Sequence, residues 1–161
     1  MRPRAIETRY RGRRFRSRLE ARYAVLFDHL GIKWDYEPEG FELKGGFRYL
    51  PDFFLPLPGG DGKSGYWVEI KPTDPTPDEV YKALALAAET GHIVHVFVGP
   101  PGEGRAFSTD ARGVTFNESD AGLRWAAPIV KCAAASVFEG RRFEAAVSAA
   151  LGARFEFGEQ G

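Results

Sequence analysis

The sequence predicts one α/β domain built on a mixed sheet flanked by helices, and three observations carry that prediction. An apolar stripe at helical spacing follows an arginine-rich start. Aromatic runs divided by Gly and Pro come next. A strand, a capped helix and a second strand then succeed one another directly. The last succession implies parallel pairing through a crossover, while short-linked strands form a meander, so the sheet has to be mixed.

The first helix is read from "SRLEARYAVLFDHLG", where Leu19, Tyr23, Leu26, Phe27 and Leu30 line one face. Ser17 is placed to cap it, Glu20 stands at the capping-box position, and Gly31 supplies the stop. "KWDYEP", "GFEL" and "FRYLPDFFLP" read as a meander of three strands, and the glycine-rich "LPGGDGKSG" as a loop. "YWVEIK" is the next strand. In "TPDEVYKALALAAETG", Thr76 caps a helix, Pro77 takes its first turn, Glu79 completes a capping box and Gly91 ends it. "HIVHVFVG" is β-branched and nearly continuously apolar, as a strand covered on both faces requires. Beyond "GPPGEG" the pattern weakens. "GVTF" and "LRWAAPIV" are weaker strand readings, and "SVFEGRRFEAAVSAALG" reads as a final helix interrupted by Gly140. No repeat or boundary divides residues 1–161, which parse as a basic arm (1–15), a core (16–98) and a C-terminal extension (99–161).

With 161 residues the chain can bury a core without disulfides or structural metal. No apolar run approaches the roughly 20 residues of a membrane span, and no apolar segment follows the arginines as a secretory signal would need. The single Cys132 excludes an internal disulfide and a cysteine zinc cage, so a cytoplasmic protein is expected. The net charge of zero hides a polarised chain. Residues 1–22 hold nine arginines against Glu7 and Glu20, leaving thirteen bases and twenty acids elsewhere. A basic arm on an acidic body suggests a polyanionic partner, since each arginine can replace a counterion at a phosphate. Tyr10 and Phe15 within the arm can stack on bases or anchor it. A solvated tail is the plain alternative.

Side-chain alternation puts Asp52 of "RYLPDFFL" on one face with Leu50 and Phe54, and Glu69 on one face with Trp67 and Lys71. Both carboxylates therefore point inward among apolar neighbours. Crowded buried carboxylates need a neutralising cation, and an all-oxygen set favours Mg²⁺ or Mn²⁺. A structural Glu69–Lys71 ion pair is the competing reading. His29, His92 and His95 lack the i, i+4 spacing of a helical zinc motif and read as structural.

"LPDFFLP" followed by "VEIKP" resembles the PD-(D/E)xK signature of the restriction-endonuclease-like nuclease superfamily, with Pro51-Asp52 as PD and Glu69-Ile70-Lys71 as ExK. The predicted order from about Phe15 to Val98 matches that family's α-β-β-β-α-β core. Glu42-Leu43-Lys44 and Pro77-Asp78 are decoys: the first precedes the PD, and the second is explained by a helix start. The resemblance implies a metal held by Asp52, Glu69, the Ile70 backbone carbonyl and Glu20, with Lys71 orienting the attacking water or stabilising negative charge. Glu20 has its capping position as a competing explanation. Lys82 matches a position often basic or polar in the family, and an ordinary exposed helix lysine is the alternative. Arg9, Arg11, Arg13, Arg14, Arg16 and Arg18 are expected to grip backbone phosphates. The implied activity is a Mg²⁺-dependent DNA endonuclease, structure-selective or low in sequence specificity, suited to phage or mobile-element DNA processing, recombination or repair. Junction resolution would require branched DNA and a homodimer. The alternative is a non-catalytic nucleic-acid-binding module on the same fold.

Overall fold

The computed structural model describes residues 5–117 and 142–155. Its elements, in chain order, are β1 (Thr8–Tyr10), β2 (Arg13–Phe15), α1 (Arg18–His29), β3 (Asp35–Tyr36), β4 (Phe41–Leu43), β5 (Phe47–Tyr49), β6 (Phe53–Pro56), β7 (Gly65–Lys71), α2 (Pro77–Thr90), β8 (Val94–Val98), β9 (Arg105–Asp110), β10 (Gly113–Asn117) and α3 (Arg142–Gly152). Six strands form the central sheet in the order β10-β9-β8-β7-β6-β3. Among the described strands only β7 and β8 pair in parallel, so the protein is mixed α/β on a mixed sheet.

Each end of α2 follows from its sequence. The Thr76 side chain accepts from the Glu79 N–H, the Glu79 carboxylate returns to the Thr76 N–H, and Gly91 closes the helix in the left-handed region at φ 71°. The crossover returns the chain beside β7 in register, with Glu69 opposite Val96 and Lys71 opposite Val98. In α1 half of the expected capping box forms. The Ser17 side chain accepts from the Glu20 N–H, but the Glu20 carboxylate turns elsewhere.

Alternation divides the core into two layers. Phe53, Leu55, Val68, Ile70 and Phe97 meet α1 and α3; Phe54, Trp67, Val94, Val96 and Val98 meet α2. Phe53 is wholly buried among Phe27, Trp34 and Tyr36, with ring centroids 5.3–5.8 Å away. Truncating it to Ala should cost about 3–5 kcal/mol, because the closely packed rings cannot collapse into the space. β8 is buried along its whole length, as its apolar run predicts.

Three expectations change. The third aromatic run is two strands: Leu50-Pro51 divides β5 from β6, and β5 pairs with β4 in a separate two-stranded sheet. Proline's missing N–H suits that break. The central meander is consequently β3-β6-β7. The basic arm is not a tail: β1 and β2 form a hairpin whose Arg11-Gly12 turn has positive φ at both residues (49° and 74°), the form that matches strand twist. Phe15 anchors it in the core at 0% exposure, and the Tyr10 hydroxyl donates to Asp28 at 2.7 Å. Finally, β9 joins β8 to β10 although "RAFSTD" carries little strand signal. The strand reading at 123–130, residues 136–141 of the final helix reading and Cys132 lie outside the described residues. Among the described residues no helix is long and apolar enough to cross a membrane.

Candidate active site

The site begins where the β6–β7 ladder runs out. Phe53 pairs with Val68, so one further step sets Asp52 beside Glu69. The Asp52 backbone carbonyl accepts from the Glu37 N–H at 2.8 Å, continuing the β3 pairing. On the other side its carboxylate replaces the missing ladder partner: Oδ2 accepts from the Ile70 N–H at 2.7 Å. A proline-terminated strand end thus aims an acid across the sheet.

Asp52 and Glu69 are both buried, at 2% and 6% exposure. Burial pushes the Asp52 carboxyl well above its ordinary range, with the charges of Glu69 and Glu20 adding to it; the Ile70 N–H and Arg16 oppose the rise without cancelling it. Burial also raises Glu69, against the pull of Lys71. The Glu69 Oε1 lies 3.0 Å from the Lys71 Nζ, whereas its Oε2 is buried with no hydrogen-bond partner. The Tyr49 hydroxyl is likewise buried and unbonded. Burial, then the Glu69 charge and the approach of the Glu69 carboxylate to the hydroxyl, drives its phenol far upward, so Tyr49 and Glu69 are close neighbours in the cleft.

Lys71 also lies 3.4 Å from Glu79, so the α2 capping carboxylate braces the lysine. Burial draws the ammonium down, but Glu69, Glu79 and Asp52 outweigh it and the net shift is upward. Lys71 is therefore held as a cation. The Glu69–Lys71 ion pair anticipated as the competing reading is present, within the same cleft as Asp52.

Glu20 reaches this region from α1. Its Oε2 accepts from the Tyr36 hydroxyl at 2.5 Å, and that hydroxyl accepts from the Arg16 backbone N–H at 3.0 Å. The Arg16 side chain continues to Asp52, with Nη2 2.6 Å from Oδ1, and to Glu37 through Nε. A cleft of about 370 Å³ collects Arg16, Glu20, Asp52, Glu69, Ile70 and Lys71, with Arg48, Tyr49, Glu79 and Lys82 also on its walls.

The donor chemistry fits a hard divalent cation. Two adjacent buried carboxylates need neutralising, and one of their oxygens has no other partner. Among the described residues no group of three His, Cys, Asp or Glu is arranged to hold a metal ion, and Glu20 is engaged with Tyr36. The present arrangement is two acids countered by Arg16 and Lys71.

The predicted phosphate-gripping arginines part company. Arg16 enters the cleft. Arg11 pairs with Asp28 at 3.0 Å, Arg14 pairs with Glu7, and Arg13 lies over the Trp34 ring at 5.6 Å. Arg9 lines a different groove, beside α1 and α3, and the buried Arg18 Nε has no hydrogen-bond partner. The histidines stay outside the cleft's lining: His95 Nδ1 meets Ser108 Oγ at 2.8 Å, His92 lies by the Phe54 ring, and His29 ends α1. Tyr36, Tyr49, Glu37, Glu79 and Arg48 are site neighbours that sequence reasoning missed. Tyr49, two residues before Pro51, carried the available signal; Tyr36, in a separate strand fifteen residues upstream, carried none. No family model, curated protein or solved structure matches this chain.

Proposed function

We propose that this protein is a divalent-metal-dependent nuclease that hydrolyses DNA phosphodiester bonds, with the restriction-endonuclease-like core its PD-(D/E)xK signature suggests. One observation carries the reading: Asp52 and Glu69 lie side by side, buried, in a cleft shared with Lys71, and Glu69 Oε2 has no partner. Asp52 and Glu69 are the residues that would hold Mg²⁺ or Mn²⁺, joined by the Ile70 carbonyl and Glu20. Bound there, such an ion supplies Lewis acidity, activating water and offsetting charge at phosphorus. The Ile70 N–H fixes the aim of Asp52. Lys71, kept protonated by Glu69 and Glu79, acts as a donor to developing negative charge rather than as a base. Arg48 and Lys82, on the cleft walls, are placed to hold flanking phosphates.

No base-reading module is apparent among the described elements, which favours a structure-selective or low-specificity endonuclease, including one that resolves branched DNA as a homodimer. Phage or mobile-element DNA processing suits that chemistry. The test is a panel of supercoiled, linear, single-stranded and four-way-junction DNA, each with Mg²⁺ or EDTA, run beside Lys71→Ala. Mg²⁺-dependent products from the wild type alone are expected; equal cleavage by the lysine variant would refute the assignment.

A second reading, a nucleic-acid-binding module without catalysis, is favoured by Arg16 already countering Asp52. Mg²⁺ titration separates the two. The nuclease binds the ion and loses that affinity in Asp52→Ala, whereas a simple binder shows no difference.

A further inference from the structure

Arg16 is the arm arginine expected to grip a phosphate that instead lies in the cleft against Asp52. It stands between β2 and α1, and its Nη2 contacts the Asp52 Oδ1 that Ile70 leaves open. The pair is lopsided. The Asp52 side chain is 3% exposed and the Arg16 side chain 56%, so the acid lies inside and the cation at the mouth. Beside it, Glu69 Oε2 has no hydrogen bond, so the carboxylate pair is only partly satisfied by protein groups. A second cation at these carboxylates would be repelled by the guanidinium while Arg16 remains. A guanidinium is also the side-chain fork best matched to phosphate.

We propose that Arg16 is an exchangeable counterion and substrate-positioning residue: it neutralises Asp52 in the free protein and moves to a DNA phosphate when a divalent ion takes the carboxylates. The inference rests on the nuclease reading and deepens it. Its consequence is reciprocal: DNA strengthens ion binding, and the ion strengthens DNA binding, through one side chain. Neither ligand alone removes the competition as well as both together.

Mn²⁺ titration, following the free ion by electron paramagnetic resonance, tests this without relying on cleavage. Wild type, Arg16→Ala, Arg16→Gln and Asp52→Ala are compared as free proteins. Both Arg16 variants should bind Mn²⁺ about tenfold more tightly than wild type, the effect of removing one competing charge at the cleft mouth. Arg16→Gln retains much of the stem's bulk and guards against a folding defect in the alanine variant. The titration is repeated with a short duplex in a Lys71→Ala background, which keeps the DNA intact. There, DNA should raise Mn²⁺ affinity when Arg16 is present and leave it unchanged in the Arg16→Gln double variant. Equal or weaker Mn²⁺ binding by both Arg16 variants, with Asp52→Ala still losing the ion, overturns the exchange and leaves the metal site standing. Coupling to DNA that persists without Arg16 also overturns it. Absence of Mn²⁺ binding in every protein overturns both the exchange and the metal reading beneath it.

Discussion

Two buried polar clusters sit on the central sheet, and they are built on opposite plans. On β8 and β9, side chains meet a hydroxyl or a backbone carbonyl rather than a second carboxylate. The His95 Nδ1 lies 2.8 Å from the Ser108 hydroxyl, and Thr109 donates to the Ala83 carbonyl at 3.2 Å. Nearby, the Tyr23 hydroxyl donates to the Gly99 carbonyl at 2.8 Å. At the β6–β7 end, two carboxylates are buried together, both shifted upward, with an acid oxygen and a phenol left unbonded. The first plan is what stability alone selects, because buried polar atoms are expensive unless paired. The second retains an electrostatic cost, and such costs concentrate where chemistry is done.

Lys71→Ala gives the sharpest break between the clusters. We expect cleavage to fall about 100- to 1,000-fold, the scale of removing one preorganised donor, while the melting temperature stays near wild type. Initial rates on supercoiled DNA and a thermal melt measure both. A matched Thr109→Val substitution should leave the rate per folded molecule unchanged.

Ion binding comes next. Adding Mg²⁺ at a hundredfold excess over its dissociation constant should stabilise the wild type by about 2.7 kcal/mol, and Asp52→Ala not at all. Denaturant melts with and without Mg²⁺ read this directly. A stabilisation that survives Asp52→Ala would place the ion elsewhere.

Removing one polar group should have opposite signs in the two clusters. Glu69→Gln relieves a buried carboxylate and should stabilise the metal-free protein by about 1 kcal/mol while destroying activity, a trade common to functional sites. Thr109→Val removes the hydroxyl's hydrogen bond to the Ala83 carbonyl and should destabilise by about 1 kcal/mol. Urea unfolding of each variant checks the signs.

The pH dependence follows from the same contrast. Asp52 and Glu69 have folded-state pKa values above their unfolded ones, so the folded protein binds more protons than the unfolded chain over the intervening window. Metal-free stability should therefore fall as pH rises from about 4, the unfolded carboxylate range, through their raised folded values. Lys71, also raised, contributes stability at neutral pH that is lost only as the solution becomes strongly alkaline. Urea melts from pH 4 to 8 should show the carboxylate slope, and the Asp52→Asn, Glu69→Gln double variant should flatten it. The smallest effect belongs to Arg14→Ala. Its pair with Glu7 is exposed on both sides, so stability should move by under about 0.5 kcal/mol.

Legibility in the sequence tracked how local the deciding physics was. The β7-α2-β8 unit could be read because its caps, periods and stop residues lie within a few positions of what they control. Asp52, Glu69 and Lys71 could be set on one face because strand parity is also local. Arg16 could not be distinguished from the other arm arginines, since its partner lies 36 residues away. Glu20 matched a capping box, and only the position of Tyr36 decides where its carboxylate goes. β9 went unread because a central strand can draw its order from neighbours on both sides rather than from its own composition.

The hydrogen bond from Ile70 to Asp52 has a consequence for how the chain can vary. The donor is main chain, so it belongs to position 70 whatever side chain stands there, proline excepted. Replacements at Ile70 are therefore screened by the α1–α3 core layer, and the aim of Asp52 is insulated from them. The centre residue of the ExK triplet can drift with the packing while the acid beside it holds its bearing.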